Sequence, residues 1–316
     1  MTFELGTSRG RWLIVALGAA LVAGCGGGSG DSGSGGNGGS GGAGGAGGAG
    51  GAGGSAGGGP NLVDVEIAFE ARVGNEAFDC GKTFTAGSAS TEVRITDFRL
   101  YVHDVRLLRK DGAEFPVELT QDGLWQHEDL ALLDFENKAG ACANGTSETN
   151  TTIKGRVQAG SYTGIAFKVG VPFELNHADA ATAPSPLNLS ALFWNWNGGY
   201  KFLRVDAVPT AAGSGAFNVH IGSTGCTEDA AGAVTACDRP NRPEVRLTDF
   251  DPLMGKFVVD YGALVAESDL SQNVDGAPGC MAGSDDTECK AVMGRLGIHV
   301  DDGSVHPDEQ KLFAAE

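Results

Sequence analysis

Tryptophans and histidines crowd one stretch of this chain. Two of its four tryptophans sit two residues apart in Trp194-Asn195-Trp196, with His177-Ala178-Asp179 just ahead of them. His220 follows in Phe217-Asn218-Val219-His220-Ile221. An imidazole offers a nitrogen lone pair that suits transition metals such as copper and zinc. Asp179, two residues past His177, fits a carboxylate that orients a ligating ring from behind. An indole offers only an N–H donor, so a W-x-W pair reads at first as two core aromatics. His103, on a strand irregularity beside Asp104, is a reserve ligand. His127 and His299 read as structural or surface groups, and His306 falls in a polar tail. Met281 is a soft donor beside Cys280, but its setting reads as core or loop.

The elements that must position these groups are strands. The dominant hydrophobic period is two rather than 3.6. Val63, Val65, Ile67 and Phe69 alternate with Asp64, Glu66 and Ala68. A second strand begins at Val93 and Ile95 and continues through Phe98, Leu100 and Val102, its phase slipping near Asp97 and again near His103, which predicts bulges. Further strands are expected at 165–171, 202–205, 217–221, 245–247 and 257–261, with turn residues at 110–112, 158–160 and 197–199. In the 217–221 strand Phe217, Val219 and Ile221 share one face, so His220 points to the other. Short helices are expected at 187–193, 261–267 and 290–295. The pattern predicts an all-β antiparallel sandwich with a few short helices and disulfide-stapled loops.

Composition narrows the chemistry further. Asp plus Glu number 40 against 22 Lys plus Arg, which argues against nucleic acid and anionic membrane surfaces as partners. There is no C-x-x-C, no nucleotide-binding loop and no calcium loop of EF-hand spacing. The G-x-S-x-G-like string lies in low-complexity glycine sequence, the wrong context for a nucleophile. Apart from Cys25, six cysteines remain: Cys80, Cys142, Cys226, Cys237, Cys280 and Cys289. An even set in an oxidising compartment reads as three disulfides. Fifteen connectivities are open; sequence distance favours Cys226–Cys237 and Cys280–Cys289, leaving Cys80 with Cys142.

The N-terminus supplies the compartment. Arg9 and Arg11 precede a short apolar run, Trp12 to Ala23, too short for a bilayer span of about 20 residues and fit for a signal peptide. Leu21-Val22-Ala23-Gly24-Cys25 is a lipobox pattern. Residues 1–24 are therefore expected to be cleaved, with Cys25 lipidated as the membrane anchor. Gly26, with no Asp there, leans toward outer-membrane sorting. Residues 26–60 contain 22 glycines and read as a disordered tether whose ends lie on the order of 30 Å apart. Residues 61–316 are ample for one large core, and no further domain boundary is visible after Pro60.

Several strings along residues 62–300 resemble one family. They are Val-Gly-Val-Pro-Phe-Glu-Leu-Asn-His ending at His177, Pro-Ser-Pro-Leu-Asn-Leu at 184–189, Phe-Trp-Asn-Trp at 193–196, Gly-Gly-Tyr-Lys-Phe-Leu-Arg at 198–204, and His-Ile-Gly-Ser-Thr-Gly-Cys at 220–226. Together they resemble the MbnP family of copper-binding proteins, named from methanobactin operons and described as the four-Cys half of a metallo-mystery pair. The resemblance implies a periplasmic copper protein with a modified residue. It implies as partner a di-haem enzyme related to cytochrome c peroxidases, which oxidises the first Trp of the W-x-W motif to kynurenine; by match that is Trp194. The chemistry is reasonable, because opening the indole yields an aromatic amine and a ketone, both able to coordinate. Trp196 is then placed to relay an oxidising equivalent.

The expectation is a lipid-anchored envelope protein that holds one copper through His177, His220 and oxidised Trp194, for capture, storage or delivery. It is expected to be its partner's substrate and not an enzyme. The competing reading is a surface-anchored structural or ligand-binding β-sandwich without metal.

Overall fold

The Leu62–Val73 strand shows how period two becomes architecture. Its alternation buries Val65, Ile67, Phe69, Ala71 and Val73, while Val63, at the start of the same stripe, is exposed. The computed structural model describes residues 61–195, 197–274 and 276–316. The expected signal, Cys25 and tether, and Trp196, lie outside the described residues.

Two sheets carry the core. The first runs Phe313–Ala315, Lys256–Asp260, Leu62–Val73, Thr152–Gln158, Glu118–Leu119. The second runs Glu244–Thr248, Gly164–Val169, Thr91–Leu108, Leu203–Pro209, Phe217–Ile221, Gly279–Cys280. Aromatic side chains stitch the sheets together. Phe167 of the second sheet meets Phe69 of the first edge-on at 6.0 Å and Phe313 at 5.0 Å between ring centroids. Such apolar burial contributes roughly 1.5–3 kcal/mol per large side chain. The fold is the expected all-β sandwich. Among the described residues it is antiparallel apart from two pairings: Leu62–Val73 runs parallel to Lys256–Asp260, and Phe217–Ile221 parallel to Gly279–Cys280.

The Thr91–Leu108 strand is the hub. Its ladder with Leu203–Pro209 slips where Asp206 faces Asp97 and Ala207 faces Ile95. Its ladder with Gly164–Val169 slips between Arg106 and His103, where Asp104 takes a positive φ of 53°. These are the two predicted phase slips. Each bulge inserts one residue and so returns the apolar series Val93, Ile95, then Phe98, Leu100, Val102, then Val105, Leu107 to one face. The opposite face carries Asp97, Arg99, Tyr101 and His103, all buried as well.

At the Tyr101 and His103 end, that outer face is met by Gly170, Pro186 and Tyr200. Tyr101 Oη donates to the Pro186 carbonyl at 2.9 Å and Tyr200 Oη to the Leu187 carbonyl at 2.6 Å, with the two rings edge-on at 5.9 Å. The expected 187–193 helix is only a single 3-10 turn, Ser190–Leu192. Leu187 and Leu192 are each buried in the core from an otherwise irregular chain, so no helical face is needed. The other two helices appear as Tyr261–Leu264 and Cys289–Arg295, and an unforeseen turn of helix spans Phe173–Asn176. Disulfides join Cys80–Cys142, Cys226–Cys237 and Cys280–Cys289, the pairing that sequence distance favoured. No described helix is long and apolar enough to cross a membrane.

Candidate metal site

Strand parity builds the floor of the site. In Phe217–Ile221 and Leu203–Pro209 the apolar residues face the core, leaving Asn218, His220, Arg204 and Asp206 on the outer face. Register then makes rows across three strands: His220 lies opposite Arg204, which lies opposite Arg99, and Asn218 lies opposite Asp206, which lies opposite Asp97. A row with three cation-capable residues thus abuts one with two carboxylates. Arg204 Nε lies 3.0 Å from Asp206 and 3.2 Å from Asp97, and Arg99 Nε donates to Asp97 at 2.8 Å. Glu136 and Asp134 close the far end of this buried network. Glu136 lies 3.8 Å from Arg99, and burial pushes the Asp134 carboxyl up to about 7 against the pull of Arg99. Ion pairs in such a setting fix geometry more than they add stability.

His220 is the member of the floor with metal chemistry. Its Nε2 lies 2.5 Å from Asp206 Oδ1. An ionised carboxylate only accepts, so Nε2–H is the donor, and in the neutral ring Nδ1 is the nitrogen that carries the lone pair. Burial works to raise the Asp206 carboxyl, but hydrogen bonds from His220 and Arg204 outweigh it and hold it at about 2. The carboxylate therefore stays ionised and fixes the imidazole's tautomer, as an orienting partner does behind a metal-ligating His.

Trp194 supplies a wall. It sits in Phe193–Asn195, paired with Gly199–Tyr200, and its ring centroid lies 6.4 Å from that of His220 at an angle of 60°. Gly222 permits this packing: a Cβ there would fall 2.7 Å from Trp194 Cζ3 and 2.6 Å from the Tyr200 carbonyl. Buried Asn176 pins the hairpin. Its Nδ2 donates to the Gly198 carbonyl at 3.3 Å and its Oδ1 accepts from Tyr200 N at 3.0 Å. The same Nδ2 lies 3.1 Å from His177 Nε2, so one side chain links the tryptophan hairpin to the next candidate ligand.

His177 caps the Phe173–Asn176 turn and stands against the Cys226–Cys237 bridge, its Nε2 3.6 Å from Cys237 Sγ. One ligand atom each from His177, Cys226 and Cys237 lies within 4.8 Å of the others. Both sulfurs are spent in the disulfide, so they are not the thiolates a soft metal needs; the bridge is a rigid wall. The structure thus gathers Trp194 against His220 and ties His177 to the same hairpin through Asn176. Two imidazoles of this kind fit copper.

Other expected residues are engaged differently. His103 Nδ1 donates to the Gly170 carbonyl at 2.8 Å, and burial, aided by the charges of Arg242 and Lys168, drives its pKa down to about 4. Asp179 Oδ1 accepts from the Ala181 amide in a local turn. The carboxylate found behind a site histidine is Asp206. Sequence reasoning passed over Asp206, Asn176 and Gly222, although all three sit inside or beside the strings quoted above. The signal for Asp206 was its two-residue spacing from Arg204 on the polar face of a strand.

Fold and site define a disulfide-stapled β-sandwich with a histidine–tryptophan cluster on the covered outer face of one sheet. The MbnP family model matches residues 63–282, and the chain belongs to the MbnP family. It is similar to the solved structure of MbnP from Methylosinus trichosporium, with 32% identity and a TM-score of 0.73, over 80% of this chain and 98% of that one. A search of curated proteins gives no match.

Proposed function

We propose that this chain is an envelope copper-binding protein for copper capture, storage or delivery, with His177, His220 and an oxidised Trp194 as its ligands. The observation that carries the reading is the placement of Trp194 against His220, whose Nε2 is committed to Asp206, which leaves Nδ1 as the ring's metal-binding nitrogen. Membership of the MbnP family supports a copper-related role. The lipobox supports anchoring at Cys25, and Gly26 after it favours the outer-membrane side.

The indole is inert toward metals until it is opened. A di-haem, cytochrome c peroxidase-like partner would supply the oxidising equivalents. With two equivalents of hydrogen peroxide as oxidant, cleavage of the indole C2–C3 bond places one oxygen atom on each severed carbon and releases two waters. Hydrolysis then releases C2 as formate, leaving the aromatic amine and ketone of kynurenine. The protein is the substrate of that reaction and not an enzyme. Copper would contribute its affinity for imidazole and amine nitrogen; the chain contributes the fixed His220 tautomer, the disulfide wall and the hairpin that presents Trp194.

The test is purification from a host that expresses the partner, with metal content and the mass of the Trp194 peptide measured on one sample. Copper together with a kynurenine mass is the expected result. An unmodified Trp194 under those conditions, or full copper binding by Trp194→Phe, overturns the reading.

A further inference from the structure

A second cluster of ligating side chains lies beyond residue 282, outside the segment matched by the family model. His299, His306 and Glu309 each present one ligand atom within 4.8 Å of the others. We propose that they form a separate surface site for a divalent transition-metal ion of the zinc class. The proposal is independent of the copper reading.

Backbone geometry sets the cluster up in advance. The isolated bridge between Ile298 and Val305 closes a tight hairpin. His299 N donates to the Ser304 carbonyl at 3.0 Å, Gly303 N to the His299 carbonyl at 2.7 Å, and His306 N to the Gly297 carbonyl at 2.7 Å. Gly303 and Gly297 both have φ of +75°, which glycine adopts without strain. The Pro307–Glu309 turn then doubles back, with Glu309 N donating to the His306 carbonyl at 3.0 Å. Arg239 braces the loop by donating to the Asp301 carbonyl at 2.8 Å. The backbone that carries the ligands is therefore held by main-chain contacts, so the loop itself needs little ordering on binding.

The side chains converge. The imidazoles of His299 and His306 stack with centroids 3.9 Å apart and planes 21° from parallel. Glu309 spans both, with Oε2 2.8 Å from His299 Nε2 and Oε1 3.9 Å from His306 Nδ1. Bonds of 2.0–2.1 Å at tetrahedral angles put neighbouring ligand atoms about 3.3 Å apart. The two Glu309 separations bracket that value, and binding requires the exposed rings to swing out of their stack so that both in-plane nitrogen lone pairs meet one ion. His306 Nε2 is held by Ser304 Oγ at 2.9 Å, a hydrogen bond of the kind that aims a ligating ring. Two imidazoles and one carboxylate match a three-ligand zinc set with a fourth position open to solvent. The side chains are 41–51% exposed, so an ion reaches them without any opening of the fold.

The experiment titrates Zn²⁺ by calorimetry into the full-length protein, purified without a polyhistidine tag. Its arms are wild type, His306→Ala, Glu309→Gln and the double variant His177→Ala/His220→Ala. Glu309→Gln keeps a hydrogen-bond acceptor for His299 on an exposed side chain, so it tests the ligand without threatening the fold. Expected is Zn²⁺ binding in wild type and in the double variant, weakened roughly tenfold or more in His306→Ala and Glu309→Gln, the scale typical of damage to a metal's ligand environment. Absence of Zn²⁺ binding in the wild type overturns the proposal. So does binding lost in the double variant but unchanged in His306→Ala and Glu309→Gln. A failure of the copper reading shows instead at Trp194 and leaves these arms untouched.

Discussion

His220 Nε2 stands 2.5 Å from Asp206 Oδ1, a contact made across two neighbouring antiparallel strands whose register sets His220 opposite Arg204. Arg204 in turn donates to Asp206 Oδ2 at 3.0 Å through Nε. The carboxylate is therefore clamped from one side and faces the imidazole with its free oxygen. Asp206→Asn keeps the shape of the side chain but removes its charge. We expect copper affinity to fall by about ten- to a hundredfold, the usual cost of losing an orienting partner behind a ligand. Equilibrium competition with a chromogenic chelator measures it. Affinity unchanged from wild type would show that Asp206 does not set the state of His220.

Gly222→Ala tests the packing of the tryptophan. The added Cβ meets a main-chain carbonyl at 2.6 Å and the Trp194 ring at 2.7 Å, and neither contact is relieved by moving a flexible side-chain end. Overpacking of this kind costs roughly 1–3 kcal/mol. The expected outcome is a lower urea midpoint together with a smaller kynurenine-containing fraction of the Trp194 peptide after exposure to the partner. A wild-type yield of modified peptide would show that the ring's position is not limiting.

His103 predicts a pH dependence of stability. Its pKa falls from 6.5 to about 4 on folding because the ring is buried. Between those values the unfolded chain binds a proton that the folded chain refuses, so this contribution is complete above about pH 6.5 and is lost as pH falls toward 4. Its full size is up to roughly 3 kcal/mol. His103→Asn retains a side-chain N–H for the Gly170 carbonyl and removes the titration. Denaturant unfolding of the variant at pH 7 and pH 4 should show a smaller loss of stability on acidification than wild type. Equal losses in the two proteins would contradict the burial argument.

Much of the fold was legible because it is local. Period two located Leu62–Val73 and Thr91–Leu108, and the slips in that period located both bulges of the hub strand, since each extra residue inverts the side-chain face. Short sequence separation picked out Cys226–Cys237 and Cys280–Cys289. The 187–193 helix did not form because Leu187 and Leu192 bury themselves individually in the core, and a short segment cannot meet the cost of helix nucleation by propensity alone. The two parallel pairings were not legible, because strand order joins segments far apart in the chain.

By itself the sequence determined which residues carry ligating chemistry and, through strand parity, that His220 leaves the apolar face. It also carried the family strings around Trp194. Only the tertiary structure decided which groups meet. Asp206 and not Asp179 lies behind His220, because cross-strand register sets that contact and register is a property of two strands at once. Asn176 joins His177 to the tryptophan hairpin because the chain folds back over the sheet's polar face. The His299, His306 and Glu309 cluster likewise needed a closed hairpin before residues up to ten positions apart could share one point in space.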